Sequence, residues 1–224
     1  MNKSLKGGGK LSRKILAILM TSGMLSSGAW ANDVYVEQIG DNAIVSITQT
    51  GAGNLVNGNV GGTGNTTDAA LILGDFNDVT ISQIGSGNSI SMIINNAANG
   101  TGATVVVSAD GNSNTQTIGC GTALSSSCNA SIIRSEITGN SNNTVQMLSG
   151  GVVKSTIAIN GNYNNVTHTA SGVGLHSGEI TVSGSGTSGA ANAVTLTQSG
   201  ATTKNAVITS NGANNNINVT QSGN

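Results

Sequence analysis

One glutamine recurs at a fixed place in a short phrase: VEQIG (36–40), ITQTG (47–51), ISQIG (81–85), LTQSG (196–200) and VTQSG (219–223). A primary amide carries two donors and an acceptor and does not titrate in the physiological range. It is a poor acid, base or nucleophile, but it can hydrogen-bond to another amide one level above it. Stacked Asn and Gln ladders use that chemistry. An asparagine opens the longer form of the phrase, N-x-φ-x-φ-x-Q with φ apolar. It reads NDVTISQ (77–83), NAVTLTQ (192–198) and NNINVTQ (215–221). Looser copies are NAIVSITQ (42–49), NTVQMLS (143–149), NNVTHTA (164–170) and NSNTQTI (112–118).

The elements that must position these amides are strands. The chain is rich in Val, Ile, Thr, Ser, Asn and Gly, the residues of short strands and turns. Each phrase is preceded by a second alternating run, such as Val34-Tyr35-Val36, Leu71-Ile72-Leu73 or Ile157-Ala158-Ile159. Between the two runs lie turn sequences: GDN (40–42), GDFN (74–77), DGNSN (110–114), NGNYNN (160–165) and NGANNN (211–216). Gly and Asn tolerate the positive φ of tight turns. Each phrase closes on a glycine, at 51, 85, 119, 150, 172, 200 and 223. Their spacings of 34, 34, 31, 22, 28 and 23 residues call for a solenoid of strand–turn–strand rungs.

The period of two puts Asn77, Val79, Ile81 and Gln83 on one face and Asp78, Thr80 and Ser82 on the other. Amides therefore share the apolar face, where one without a partner costs about 1–3 kcal/mol. Stacking identical rungs about every 4.8 Å removes that cost. The fold expected is an all-β solenoid of about seven rungs over residues 32–224, with inward Asn/Gln and aliphatic ladders.

Residues 1–31 differ in kind. Five basic residues, an apolar run (15–25) and Ala29-Trp30-Ala31 read as a cleaved signal peptide, with Ala29 and Ala31 marking the cleavage site. The rival reading, a membrane anchor, has too short an apolar run. Beyond it, Arg134, Lys154 and Lys204 stand against nine acids, a formal net charge of −6. That balance disfavours nucleic acid and anionic lipid as partners. A secreted chain places Cys120 and Cys128 in an oxidising compartment, where the close pair is expected to form a disulfide. A metal site would need further ligands, and no His, Asp or Glu lies between them.

No cofactor is called for and no enzyme is expected. His168 and His176 are the only histidines, and His168 takes a near-ladder position. The sequence shows no Ser-His-Asp or paired-carboxylate grouping. GGTGNTTD (61–68) approaches a calcium nonapeptide once, where a repeat would be needed.

QIGDNAIVSITQTGAGN (38–54), with partial copies ISQIGSGN (81–88) and LTQSG (196–200), resembles the curlin repeat family, the subunits of bacterial curli fibres. The likeness covers most of residues 32–224 and is tightest in the first two and last two repeats. Carried over residue by residue, it implies ladder positions at Gln38, Asn42, Gln49, Asn54, Gln83, Asn88, Gln198 and Gln221. The long form of the phrase adds Asn77, Asn192 and Asn215. The resemblance further implies a secreted, bacterial cell-surface protein that polymerises into amyloid for adhesion and biofilm matrix. Its implied partners are other copies of itself, a nucleator subunit, an outer-membrane secretion channel and periplasmic accessory factors.

The sequence departs from that family in its uneven repeat lengths, in Ser149 and Ala170 standing at glutamine positions, and in its cysteine pair. Independently of the likeness, no capping segment is expected at either end, and uncapped rungs invite pairing with another chain. Asp41, Asp75, Asp78 and Asp110 are either assembly gatekeepers or plain turn residues. The alternative function is a soluble solenoid binding ice or a glycan through outward Thr and Ser at 48, 50, 80, 82, 195, 197, 220 and 222.

Overall fold

The computed structural model describes residues 31–223 except 42, 59–68, 75–76, 96–103, 121–131, 150–152 and 173–174. The expected leader, Asn42 and Cys128 therefore lie outside the described residues. Two sheets face each other, and the chain alternates between them. It opens with β1 (Asp33–Val34) and β2 (Val36–Ile39) in sheet two, then crosses to β3 (Ile44–Thr50) in sheet one. It returns to sheet two through β4 (Leu55–Asn57) and β5 (Ala70–Leu73) and crosses again to β6 (Asp78–Ile84).

The alternation continues with β7 (Ser89–Asn95), β8 (Thr104–Asp110) and β9 (Thr115–Cys120). The short β10 (Ile132–Arg134) and β11 (Ile137–Thr138) share one level, followed by β12 (Asn143–Leu148) and β13 (Val153–Asn160). The last strands are β14 (Asn164–Ser171), β15 (His176–Ser183), β16 (Asn192–Ser199), β17 (Lys204–Asn211) and β18 (Asn216–Gln221). Sheet two runs β1-β4-β7-β9-β12-β14-β16-β18, and sheet one runs from β3 to β17. Strand ladders such as β3–β6, β14–β16 and β15–β17 are parallel and in register over whole strands. This is a β-solenoid of about six full turns with partial coils at its ends, the fold class the alternation predicts.

The inward face is apolar because the alternation holds on both sheets. Val79, Ile81, Val105, Val107, Ile90 and Met92 are fully or almost fully buried. These belong to an N-terminal core cluster, and a second cluster holds Ile157, Ile180, Val182, Val194 and Leu196. Cys120 stacks between Ile94 and Leu148. It is buried and disulfide-bonded, and the chain has only two cysteines. Reduction is expected to lower the unfolding free energy by about 2–3 kcal/mol, the value for closing a loop of roughly ten residues. Urea unfolding with and without reductant measures it.

One expectation needs correction. The phrase spacing predicts successive copies of one rung position, but the phrases fall on both sheets. NAIVSITQ and NDVTISQ form β3 and β6 of sheet one, whereas NAVTLTQ and NNINVTQ belong to β16 and β18 of sheet two. Their closing glycines separate likewise. Gly51 and Gly85 stack at one corner, and Gly172 and Gly200 at the opposite one. Gly119 lies inside β9. Both sheets face the same core, so both obey one inward pattern, and phrase-to-phrase spacing does not equal one turn of the coil.

Candidate functional site

The regular feature of the molecule is the corner leading from sheet one into sheet two. It reads Gly-x-x-Asn in six coils: GAGN (51–54), GSGN (85–88), GNSN (111–114), GNSN (139–142), GNYN (161–164) and GANN (212–215). A seventh copy spreads from Gly184 to Asn192 around an insertion. The glycines have φ between 100 and 142°. The residue before the asparagine is left-handed as well, including Ser113, Ser141, Tyr163 and Asn214 at 53 to 58°. The backbone thus makes the same turn each time, and the asparagines line up.

Asn54, Asn88, Asn114, Asn142, Asn164 and Asn192 are buried and joined in one ladder. From Asn88 on, each Nδ2 donates to the Oδ1 of the preceding coil, from Asn88→Asn54 at 3.2 Å to Asn192→Asn164 at 2.8 Å. Each also donates to the corner glycine carbonyl of the next coil, as Asn142 does to Gly161 at 2.8 Å. Backbone N–H groups of the following asparagines add a second bond to several of the same Oδ1 atoms. At the ends, Asn32 Oδ1 accepts from Asn54 N–H, and Asn192 Oδ1 accepts from Asn215 N–H. An interior member satisfies both donors and its acceptor, which is why a buried amide is tolerated there.

An exposed second ladder runs beside it. Asn112 Nδ2 donates to Asn140 Oδ1 at 3.2 Å, and Asn140 Nδ2 to Asn162 Oδ1 at 3.1 Å. It donates toward later coils where the buried ladder donates toward earlier ones, so the two amide rows carry opposed dipoles.

The predicted ladder residues divide accordingly. Asn54, Asn88 and Asn192 belong to the buried ladder and Asn215 to its half-buried end, while Asn32 at the other end and Asn114, Asn142 and Asn164 were missed. The recurring Gly-x-x-Asn was the signal that would have found them. Asn77 sits at the opposite corner and donates to its own turn, to Leu73 and Gly74 carbonyls. Gln49 and Gln83 stack in sheet one at 2.7 Å, and Gln198 and Gln221 in sheet two at 2.8 Å. Gln38 begins the sheet-two column that Gln221 ends, and Ile72, Ile94, Cys120, Leu148 and Ala170 stand between Gln38 and Gln198. The glutamines therefore form two separate pairs, one on each sheet, and the apolar residues of the middle coils cut Gln38 off from the sheet-two pair.

A buried polar chain also crosses the interior. Ser135 Oγ donates to Gln146 Oε1 at 2.8 Å, and Gln146 Nε2 donates to Ser155 Oγ at 2.9 Å. Ser155 Oγ meets His168 Nδ1 at 2.7 Å, and His168 Nε2 meets Gln198 Oε1 at 2.9 Å. One set of proton positions satisfies every link: Ser155 donates to Nδ1, and a neutral Nε2–H imidazole donates to Gln198. Burial, above all, holds the His168 imidazole below the ordinary histidine range. The Gln198 hydrogen bond works against that shift, and the neighbouring His176 adds to it. The Ser155–His168 pair has nucleophile-and-base geometry, but both residues have zero exposure. Substrate has no path to the hydroxyl in this fold. Among the described residues no three metal-ligating side chains gather.

The outward threonines do not form one array. Thr48 and Thr80 lie on sheet one, while Thr195, Thr197 and Thr220 lie on sheet two, back to back across the core. No family model matches the sequence, and no curated protein or solved structure matches it either.

Proposed function

We propose that this protein is a structural subunit of extracellular, curli-like amyloid fibres that grow by end-to-end strand stacking and serve adhesion and biofilm matrix. The supporting observation is the match between the outermost rungs of sheet two. Asn32, Val34, Val36 and Gln38 occupy the same four inward columns as Asn215, Ile217, Val219 and Gln221, linked through the register of every strand between. All eight side chains are only partly buried, whereas their counterparts one coil inward are buried. Asn215 uses its N–H groups on Asn192, Ser210 and Asn211, leaving its Oδ1 as an open acceptor. A second copy that places Asn32 on Asn215 and Gln38 on Gln221 continues each ladder. The curlin resemblance of residues 38–54 supports the same reading.

The test uses residues 32–224 with the disulfide intact, incubated without seeds. A lag phase in thioflavin fluorescence and fibre reflections near about 4.7 and about 10 Å are expected. A chain that stays monomeric and folded sinks the proposal. Val219→Lys places a charge on the outer rung and is expected to slow elongation at least tenfold, with the monomer's circular dichroism unchanged. The second reading, an ice-binding face, rests on the in-register column Thr169–Thr197–Thr220. Thermal hysteresis of fresh monomer tests it.

A further inference from the structure

Among the described residues, the basic side chains of the C-terminal interior have no counterpart elsewhere in the core. Among the described residues, the inward positions of β3, β6, β7, β8, β9 and β12 carry no basic or acidic side chain. Those of β14 to β18 carry His168, His176 and Lys204, all at 7% exposure or less. His176 and Lys204 are register partners on adjacent strands. His176 Nε2 donates to the Ser171 carbonyl at 2.9 Å, and its buried Nδ1 has no partner. Lys204 Nζ donates to the carbonyl and hydroxyl of Thr202 at 3.1 and 3.0 Å.

Among the described residues no carboxylate answers these groups. Of the elements packed around His168, β12, β16 and β18 carry no charged residue. β13 carries Lys154, exposed and outward. β15 carries Glu179, also exposed and outward, besides the inward His176. β17 carries Lys204. The space is closed as well. A methyl group at Gly178 would lie 2.6 Å from His168 Cε1 and 2.8 Å from Leu196, so the ring fills the gap that glycine leaves. The His168 ring has zero exposure, so bulk water does not solvate an imidazolium while the coils are closed. A proton on Nδ1 would also strand the Ser155 hydroxyl, which loses its acceptor.

We propose that the histidine-bearing half of the solenoid is an acid-sensitive module: as pH falls, protonation inside this closed basic cluster opens β14 to β18 together, while the coils before β12 stay formed. The boundary is the polar chain from Ser135 to His168, around which the two apolar clusters meet: the first reaches Leu148 and Ala170, and the second begins at Ile137. Each coil of a repeat protein contacts mainly its neighbours, so one end can open without the other.

The direction follows from linkage. His168 is held below its ordinary value of 6.5 in the folded chain, so the opened chain binds the proton first. The stabilising neutral state is fully present above about pH 6.5 and is lost as pH falls below it. Through His168 the opening equilibrium rises at most about tenfold per pH unit.

Hydrogen exchange on the monomer at pH 7.5 and 4.5, corrected for intrinsic rates, tests the device. Amides of β14 to β18 should lose about tenfold or more of their protection at the lower pH, while those of β3 and β6 to β9 keep theirs. In the His168→Gln, His176→Gln double variant the difference should vanish. Equal protection of the wild-type C-terminal strands at the two pH values overturns the proposal, as does an acid response retained in the double variant. Should that variant fail to fold, ring NMR of the wild type decides. His168 must protonate in step with the loss of protection, and protonation inside intact coils refutes the device.

Discussion

Gly139→Ala is expected to cost more than about 4 kcal/mol, enough to unfold a marginally stable coil. The glycine has φ of +127°, which an L side chain rarely adopts. A methyl group there would overlap the Gly161 carbonyl oxygen of the next coil and lie 2.7 Å from the carbonyl carbon. Both are backbone atoms fixed by the corner ladder, in which Gly161 N–H donates to Thr138 at 2.9 Å. Relief would require coils packed at strand spacing to separate. Gly212 provides the comparison, since it has φ of +100° and only Asn215 Nδ2, at 3.9 Å, near the added methyl. Gly212→Ala should therefore cost only the backbone strain, about 1–3 kcal/mol. Urea unfolding followed by circular dichroism separates the two. Equal losses would mean that the corner glycines serve conformation alone and the coils do not stack tightly there.

The alternation that assigns inward and outward residues was legible because most strands obey it, from NDVTISQ at β6 to NAVTLTQ in β16, whereas β7 and β9 bury neighbouring residues. Sheet membership was not legible, since both sheets meet one core and select one inward pattern. The insertions between strands then hid the true turn length. Consecutive ladder asparagines lie 34, 26, 28, 22, 28 and 23 residues apart, so no single period points to the next partner. The four-residue corner is independent of those insertions in six coils, which makes Gly-x-x-Asn a better marker than the glutamine phrase. The Ser135–Gln146–Ser155–His168–Gln198 chain could not be read from sequence. Its members come from both sheets, and their contacts depend on which side chains face each other across the core.

Asn142→Leu is the second large effect expected, about 4 kcal/mol of lost stability. Leucine matches asparagine roughly in size and stays on the buried corner, so the loss isolates the amide. Four hydrogen bonds disappear: Nδ2 to Asn114 Oδ1 at 3.1 Å and to Gly161 O at 2.8 Å, and Oδ1 from both Asn164 N and Nδ2 at 2.9 Å. Asn114 Oδ1 keeps the Asn142 backbone N–H. The Asn164 N–H, one Asn164 amide hydrogen and the Gly161 carbonyl are left without partners, at about 1–3 kcal/mol for each buried group. The exposed ladder predicts a different outcome from the same chemistry. Asn140 bonds Asn162 through its N–H and Nδ2 at 2.7 and 3.1 Å, yet it faces solvent. Water replaces what Asn140→Ala removes, so that change should cost about 1 kcal/mol or less. A coupling near zero in the Asn142/Asn164 double-mutant cycle would show that the ladder amides act singly. A coupling of about 1 kcal/mol or more would show that each buried amide depends on the one stacked against it.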